Sequence, residues 1–431
     1  MKTESYQLIS SMETLSVSDG LLDSIPTIHA EIRMRKGICK DDVEKHRSSI
    51  LSALYAVGEV SNWHPLSLNE SKGFSHFIDH ILIGTSVLPH GAVLSLTEET
   101  LPNKNLHIYR IRDYGPEAQE VSADSNSDEV TVGSQHWELP CKEFDQIWEN
   151  LIFDDDVKNE LLSYIYAALR LSDRGADFSI LRVNRLILLH GPPGTGKTSL
   201  CKGLAQKLAI RLGDRYIRSV FVEINSHSLF SKWFSESGKL VLKMFDQIEE
   251  LAEDGRTLVF VLIDEVESLS MARSGAFNRN EPADAIRAVN ALLTQIDRIR
   301  RLSNVLVLTT SNISKMLDEA FIDRADLCRY IGQPSLRAVY SILLSCIHEM
   351  QRIGIVARDE VIEPPSSDGH SSLYSQRLLE ISKLAVGLSG RCLRQLPVLA
   401  YSKLALDSLT INQCLSVFEK AIVQKIASKD W

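Results

Sequence analysis

The segment His190-Gly191-Pro192-Pro193-Gly194-Thr195-Gly196-Lys197-Thr198-Ser199, entered from the apolar run Leu186-Ile187-Leu188-Leu189, constrains this chain more than any other stretch. The pattern predicts a buried strand, a glycine-rich turn and a helix N-terminus. Gly191, Gly194 and Gly196 leave room for backbone amides to close around phosphate oxygens. The helix start offers unpaired N–H groups and its positive dipole end to the same charge. Lys197 is placed to reach the β- and γ-phosphates, and the Thr198 hydroxyl to bind Mg²⁺. Gly191 to Ser199, with Pro192, Pro193 and Thr195 inside the loop, is therefore the candidate cradle for a nucleoside triphosphate.

A second apolar strand, Leu258 to Ile263, runs straight into Asp264-Glu265. In a parallel sheet its end lies beside the phosphate turn, where Asp264 can hold Mg²⁺ and Glu265 can polarise an attacking water. A third strand, Val305 to Thr310, leads to Asn312, which is either a hydrogen-bonding partner of that water and the γ-phosphate or a simple turn residue. Two arginines follow. Arg324, between Asp323 and Ala325-Asp326, is either an arginine presented to a neighbouring subunit or a surface ion pair with Asp323 or Asp326. Arg391, in Leu388-Ser389-Gly390-Arg391, is either a γ-phosphate contact from within the same chain or a plain salt bridge. Trp233-Phe234, flanked by Ser231-Lys232 and Ser235-Glu236-Ser237-Gly238-Lys239, would drag polar neighbours into a core, so the pair suits a loop that grips something.

Length and composition allow several domains. The chain has 431 residues, 44% hydrophobic and 24% charged, a globular profile. Residues 1–24 read as a flexible start. Residues 25–112 read as a small α+β domain, with alternation at Ile28, Ala30, Ile32 and Met34, a helix capped by Asp41 or Asp42 and stopped at Gly58, and a strand from Leu106 to Ile111. Residues 113–136, acidic and serine-rich, read as a solvated linker. Residues 137–333 alternate apolar runs and helical patterns, which predicts a parallel sheet covered on both faces. Residues 334–431 read as a helical domain. His76 and His80 have i, i+4 spacing and could chelate a metal if helical, although ordinary histidines fit better without a third ligand.

The net charge of −9 gives no general attraction to nucleic acid or to an anionic membrane, and no stretch resembles a secretory signal or a membrane span. The expectation is an intracellular protein without direct nucleic-acid or membrane contact. Seven scattered cysteines without C-x-x-C spacing indicate neither a disulfide framework nor a zinc site.

The order of Gly191 to Lys197, Asp264-Glu265, Asn312, Arg324 and Gly390-Arg391 resembles an AAA+ P-loop ATPase over residues 137 to 431. His190 to Lys202 and Glu223 to Lys239 are similar to the pachytene-checkpoint AAA+ remodellers, known in animals as thyroid-receptor-interactor thirteen. The resemblance implies an α/β ATPase domain, a C-terminal helical lid and a small N-terminal domain that receives substrate or adaptor. It implies ATP and Mg²⁺ as ligands, and a homohexamer that converts HORMA-domain proteins from closed to open forms with a HORMA-like adaptor. Mad-type spindle-checkpoint proteins and meiotic axis proteins are the implied clients, in the nucleus and on chromosomes, with the cytoplasm and kinetochores during division. Under it Lys197 and Thr198 bind phosphate and magnesium, Glu265 is the base, Asn312 and Arg391 are the two sensors, and Trp233 and Phe234 line a central pore. Adenine preference comes with the resemblance, with Leu151-Ile152 as the base-pocket neighbourhood. Two departures stand out: Ser235 replaces a glycine after the aromatic pair, and Arg324 stands alone where the wider pattern has two arginines. A nucleic-acid motor or loader, a microtubule-severing ATPase and a non-catalytic scaffold are the rival readings.

Overall fold

The computed structural model describes residues 27–66, 76–85, 87–88, 91–121, 131–177, 180–225, 237–267, 283–312, 319–358, 372–402 and 408–427. Trp233 and Phe234 lie outside them. The chain forms two compact units, residues 1–110 and 111–431.

The first unit runs β1 (His29–Met34), α1 (Lys40–Glu44), α2 (Arg47–Tyr55), β2 (Glu59–Ser61), β3 (Pro65–Leu66), β4 (Ile78–Gly84), β5 (Val93–Ser95) and β6 (Leu106–Tyr109). Its sheet has the order β3-β4-β1-β6, with β1 antiparallel to β4 and parallel to β6. Ala30 and Ile32 from β1 and Ile50 and Leu54 from α2 share one core, which is the burial that the alternation and helical period of the sequence demanded. The single helix expected here is instead two. Asp41 and Asp42 sit in the first turn of α1, and the chain breaks at His46 before Arg47, which reaches out of α2 to Glu44, Asn103 and the Leu106 carbonyl. His80 lies in strand β4, not in a helix, so the chelating pair does not form. Among the described residues no cluster of three metal-ligating side chains occurs.

The second unit runs β7 (Glu117–Val121), β8 (Thr131–Leu139), α3 (Ile147–Asn150), α4 (Val157–Asp173), β9 (Leu186–His190), α5 (Lys197–Arg211), β10 (Arg218–Asn225), α6 (Ser237–Ala252), β11 (Thr257–Asp264), α7 (Ala283–Ile299), β12 (Val305–Ser311), α8 (Glu319–Ile322) and β13 (Leu327–Tyr330), then α9 (Leu336–Arg352), α10 (Leu373–Ala385), α11 (Gly390–Tyr401) and α12 (Ile411–Ala427). Its sheet has the order β13-β9-β12-β11-β10-β8-β7, and the five strands from β13 to β10 are parallel. Alternate residues face opposite helix layers. Val259, Val261 and Ile263 meet Phe245 and Ile248 of α6 and Ile296 of α7, while Leu258, Phe260 and Leu262 meet Leu161 of α4 and Leu200 and Leu204 of α5. A strand buried on both faces must be apolar throughout, which is why these runs stood out in the sequence.

The expected linker is corrected by two of its segments. Residues 117–121 and 131–136 belong to β7 and β8, which close one side of the large sheet as an antiparallel pair. The acidic composition marks a sheet edge, where exposed Glu117 discourages pairing with another chain. Within β8, Ser134 and His136 are buried, and Ser134 Oγ lies 2.9 Å from His136 Nε2. The four helices α9 to α12 pack around Leu343, Ile347, Leu393 and Phe418 as a lid. Ser335, Ser372 and Ser389 cap α9, α10 and α11 with their hydroxyls.

Burial, reinforced by the Arg218 charge, pushes His136 down to about 4 from its ordinary 6.5. Between those values the unfolded chain binds a proton that the folded chain refuses, so this group's stabilising contribution is lost as pH falls from 6.5 toward 4. Thermal melts across that range should fall more steeply for the parent than for His136→Gln. Parallel curves would show that His136 is not held neutral.

Candidate nucleotide site

The carboxyl ends of β9, β11 and β12 lie side by side, with β9 flanked by β12 on one side and β13 on the other. The connection after β9 crosses toward β10, whereas the connection after β12 crosses the other way to β13, which opens a crevice at the ends of these two strands. Gly191, Gly194 and Gly196 occupy it with φ of +143°, +78° and +98°, and Gly196 is the residue from which α5 starts. The turn is enclosed. A Cβ at Gly191 would stand 2.1 Å from the Ile331 carbonyl oxygen, one at Gly194 2.8 Å from Ser389 Oγ, and one at Gly196 3.2 Å from Leu151 Cδ2.

Lys197 is buried, and its ammonium donates to the Gly191 and Pro192 carbonyls at 2.8 Å each. Burial draws its pKa below the ordinary value, opposed by the charges of Glu267 and Asp264 and aided by Arg391. The Thr195 hydroxyl donates to the Pro192 carbonyl at 3.0 Å, which stiffens the loop. Thr198 Oγ1 donates to both carboxylate oxygens of Asp264, at 3.1 and 3.2 Å, and the Thr310 hydroxyl also donates to Asp264. A carboxylate and a hydroxyl converging in this way form an all-oxygen donor set suited to a hard divalent cation such as Mg²⁺. Bound there, such an ion would neutralise phosphate charge.

Glu265 holds φ +57°, a left-handed conformation that costs a side-chain-bearing residue about 1 kcal/mol. Its N–H donates to Thr310 Oγ1 at 3.3 Å, and its side chain is exposed at the crevice end of β11. Asn312 follows β12, and its N–H donates to Glu267 Oε1 at 3.1 Å. Arg391 reaches the turn from the lid: its N–H donates to the Gly194 carbonyl at 3.0 Å, and its charge bears on Lys197.

The site thus gathers Gly191 to Ser199, Asp264, Glu265, Asn312 and Arg391 from four separate stretches. Arg324 is placed elsewhere: it forms a bidentate pair with Asp297 of α7, at 3.1 and 2.9 Å. Neither sequence candidate, Asp323 or Asp326, is that partner; Asp326 accepts from Tyr164 and from the Asn184 and Arg185 amides. Sequence reasoning missed Thr310, Ser389, Ile331 and Glu267. Only Glu267 left a trace, as a third carboxylate two residues beyond Asp264-Glu265.

Family models match three consecutive stretches: the Pch2 N-terminal domain at residues 24–111, the ATPase family associated with various cellular activities (AAA) at 187–333, and the TRIP13-like AAA+ ATPase lid C-terminal domain at 335–426. The putative pachytene checkpoint protein 2 of Caenorhabditis elegans is 48% identical over 418 residues, covering 94% of this chain and 98% of that protein. The chain belongs to the pachytene checkpoint protein 2 family. The solved structure of C. elegans PCH-2 superposes with a TM-score of 0.80 at 47% identity, covering 93% of this chain and 100% of that one. A chain of an E. coli MS115-1 HORMA:CdnC:Trip13 complex matches at a TM-score of 0.50 and 21% identity, covering 66% of this chain and 94% of that one, which speaks to the fold alone. With its AAA domain and lid, the chain binds nucleotide and is an ATPase.

Gly191→Ala should destabilise the protein by at least about 2 kcal/mol in chemical denaturation, because both its φ and the Ile331 oxygen oppose a Cβ. Gly255→Ala, at φ +64° with nothing within 4 Å, should cost only about 1 kcal/mol. Equal losses would show that the turn is not sterically enclosed.

Proposed function

We propose that this ATPase is a homohexameric remodeller that uses ATP, with Mg²⁺ at Thr198 and Asp264, to pull HORMA-domain proteins from closed to open forms. Family membership across all three domains carries the reading. A distant chain of like fold, solved in a complex containing a HORMA protein, agrees with it. In this reading Lys197 and the turn amides hold the phosphates, Glu265 draws the proton from the attacking water, and Asn312 orients that water. Arg391 reports the γ-phosphate to the lid through α11, and Arg324 leaves Asp297 to serve a neighbouring subunit. Closure of the lid and its release on hydrolysis drive Trp233 and Phe234 against a substrate segment, which unfolds locally. The residue-25-to-112 domain receives the client or a HORMA-like adaptor. The family's pachytene-checkpoint name supports clients of the Mad type and of the meiotic axis, met in the nucleus, on chromosomes, and in the cytoplasm and at kinetochores during division.

The test is the ATPase rate of the purified chain with a HORMA protein, with and without adaptor, while the client's open-to-closed ratio is followed. The expected result is stimulated hydrolysis together with client opening. Fuel consumption that leaves every client closed, or stimulation by DNA or tubulin instead, would overturn the reading. Glu265→Gln should bind ATP with parental affinity and hydrolyse it at least about 100-fold more slowly. Trp233→Ala should hydrolyse ATP yet fail to open the client; normal opening would remove the pore assignment.

A further inference from the structure

Main-chain pairing between β11 and β12 runs out where the phosphate site begins. Glu265 turns the chain with its left-handed φ, and the Val266 N–H still reaches the Thr310 carbonyl at 2.9 Å. The next β12-side donor, the Asn312 N–H, finds no strand carbonyl. It is taken instead by Glu267 Oε1 at 3.1 Å.

Glu267 is only 8% exposed, and its other oxygen, Oε2, has no hydrogen-bond partner among the described residues. A buried carboxylate with a single acceptor contact is costly unless a nearby cation offsets its charge. The charge is offset by Lys197, on which Glu267 acts more strongly than Asp264 does. The side chain therefore holds the main chain of Asn312 while its charge bears on the phosphate-turn lysine.

We propose that Glu267 is a positioning residue for triphosphate hydrolysis: by accepting the Asn312 main-chain N–H beyond the end of β12, it fixes the residue whose side-chain amide orients the attacking water. In this role Glu267 acts through Asn312 rather than on the nucleotide itself. The proposal rests on the role given above to Asn312, and it predicts that what matters at position 267 is a correctly placed acceptor oxygen.

The test compares Glu267→Met, which fills similar space without an oxygen, with Glu267→Gln, which retains an acceptor, and with Asn312→Ala, all in the full chain. Steady-state ATP hydrolysis gives kcat, and a fluorescent ATP analogue gives nucleotide affinity. Glu267→Met should lose about 30- to 100-fold in kcat, the scale of losing one positioned polar group, with affinity within about 3-fold of the parent. Glu267→Gln should recover kcat to within about 3-fold, and Glu267→Met should cost almost nothing further in the Asn312→Ala background. A merely structural carboxylate would lower affinity and folding together and would not be rescued selectively in kcat.

Parental turnover in Glu267→Met beside a large loss in Asn312→Ala would overturn the proposal alone. So would independent, multiplying losses in the double variant. Parental turnover in Asn312→Ala would remove the role of Asn312 and the proposal with it. Should Glu267→Met fail to fold, Glu267→Gln still decides: near-parental kcat is the expected result, and a loss of more than about 10-fold overturns the idea.

Discussion

The enclosure of the phosphate turn is the constraint on which the rest of the second unit depends. Three glycines with positive φ form a loop in which a Cβ would meet the Ile331 backbone at the end of β13 and press on the start of α11 or the Leu151 side chain. Each neighbour belongs to a different part of the fold: the sheet, the lid and the segment leading to α4. The loop is thus a junction as well as a cradle. Because close-packed contacts have few alternative arrangements, a ligand that shifts the turn by a fraction of an ångström must shift at least one of these neighbours.

The same packing explains how α5 is held in register with the crevice. Gln206 makes a two-way pair with the Cys141 main chain, at 3.0 and 2.9 Å, and the backbone of Trp148 lies 3.1 Å from where a Cβ at Gly203 would stand. Lys202 joins the other end of this contact, paired with Glu223 at 2.8 Å and lying 5.1 Å from the Trp137 ring. The antiparallel edge formed by β7 and β8 therefore does more than cover the sheet. It supplies Trp137, against which the helix bearing Lys197 and Thr198 is clamped.

The parts of this fold that were legible in the sequence are those where burial leaves no choice. Strands covered on both faces must be apolar end to end, so β9, β11 and β12 declared themselves, and the residues that follow such strands are forced into the crevice. Segments with one exposed face were harder. β7 was read as linker because an edge strand tolerates glutamates, and β13, Leu327-Cys328-Arg329-Tyr330, alternates in burial and carries an arginine that pairs with Asp155 and Glu160. The contacts that complete the site were not legible, because they join residues whose types are unremarkable. Nothing about Ser389, Thr310 or Ile331 announces that a hydroxyl or carbonyl will meet the turn. For Arg324 the ion-pair alternative looked to Asp323 and Asp326 because they are close in sequence, whereas the partner, Asp297, lies across the fold.

The charges at the crevice carry the last step. Asp264, Glu265 and Glu267 bring three carboxylates to the end of β11, against Lys197 and Arg391 from this chain. A polyanion entering such a place is not drawn in by side-chain charge alone. Its binding must lean on the amides of the turn and the start of α5, whose partial charges are fixed by the backbone and cannot be titrated away. The lid meets the same site: Arg391, at the start of α11, is hydrogen-bonded through its N–H to Gly194, so a movement of that helix would change the local balance of charge. Coupling between a bound nucleotide and the lid would then need no separate device, since the turn and the helix that carries Arg391 share a backbone hydrogen bond.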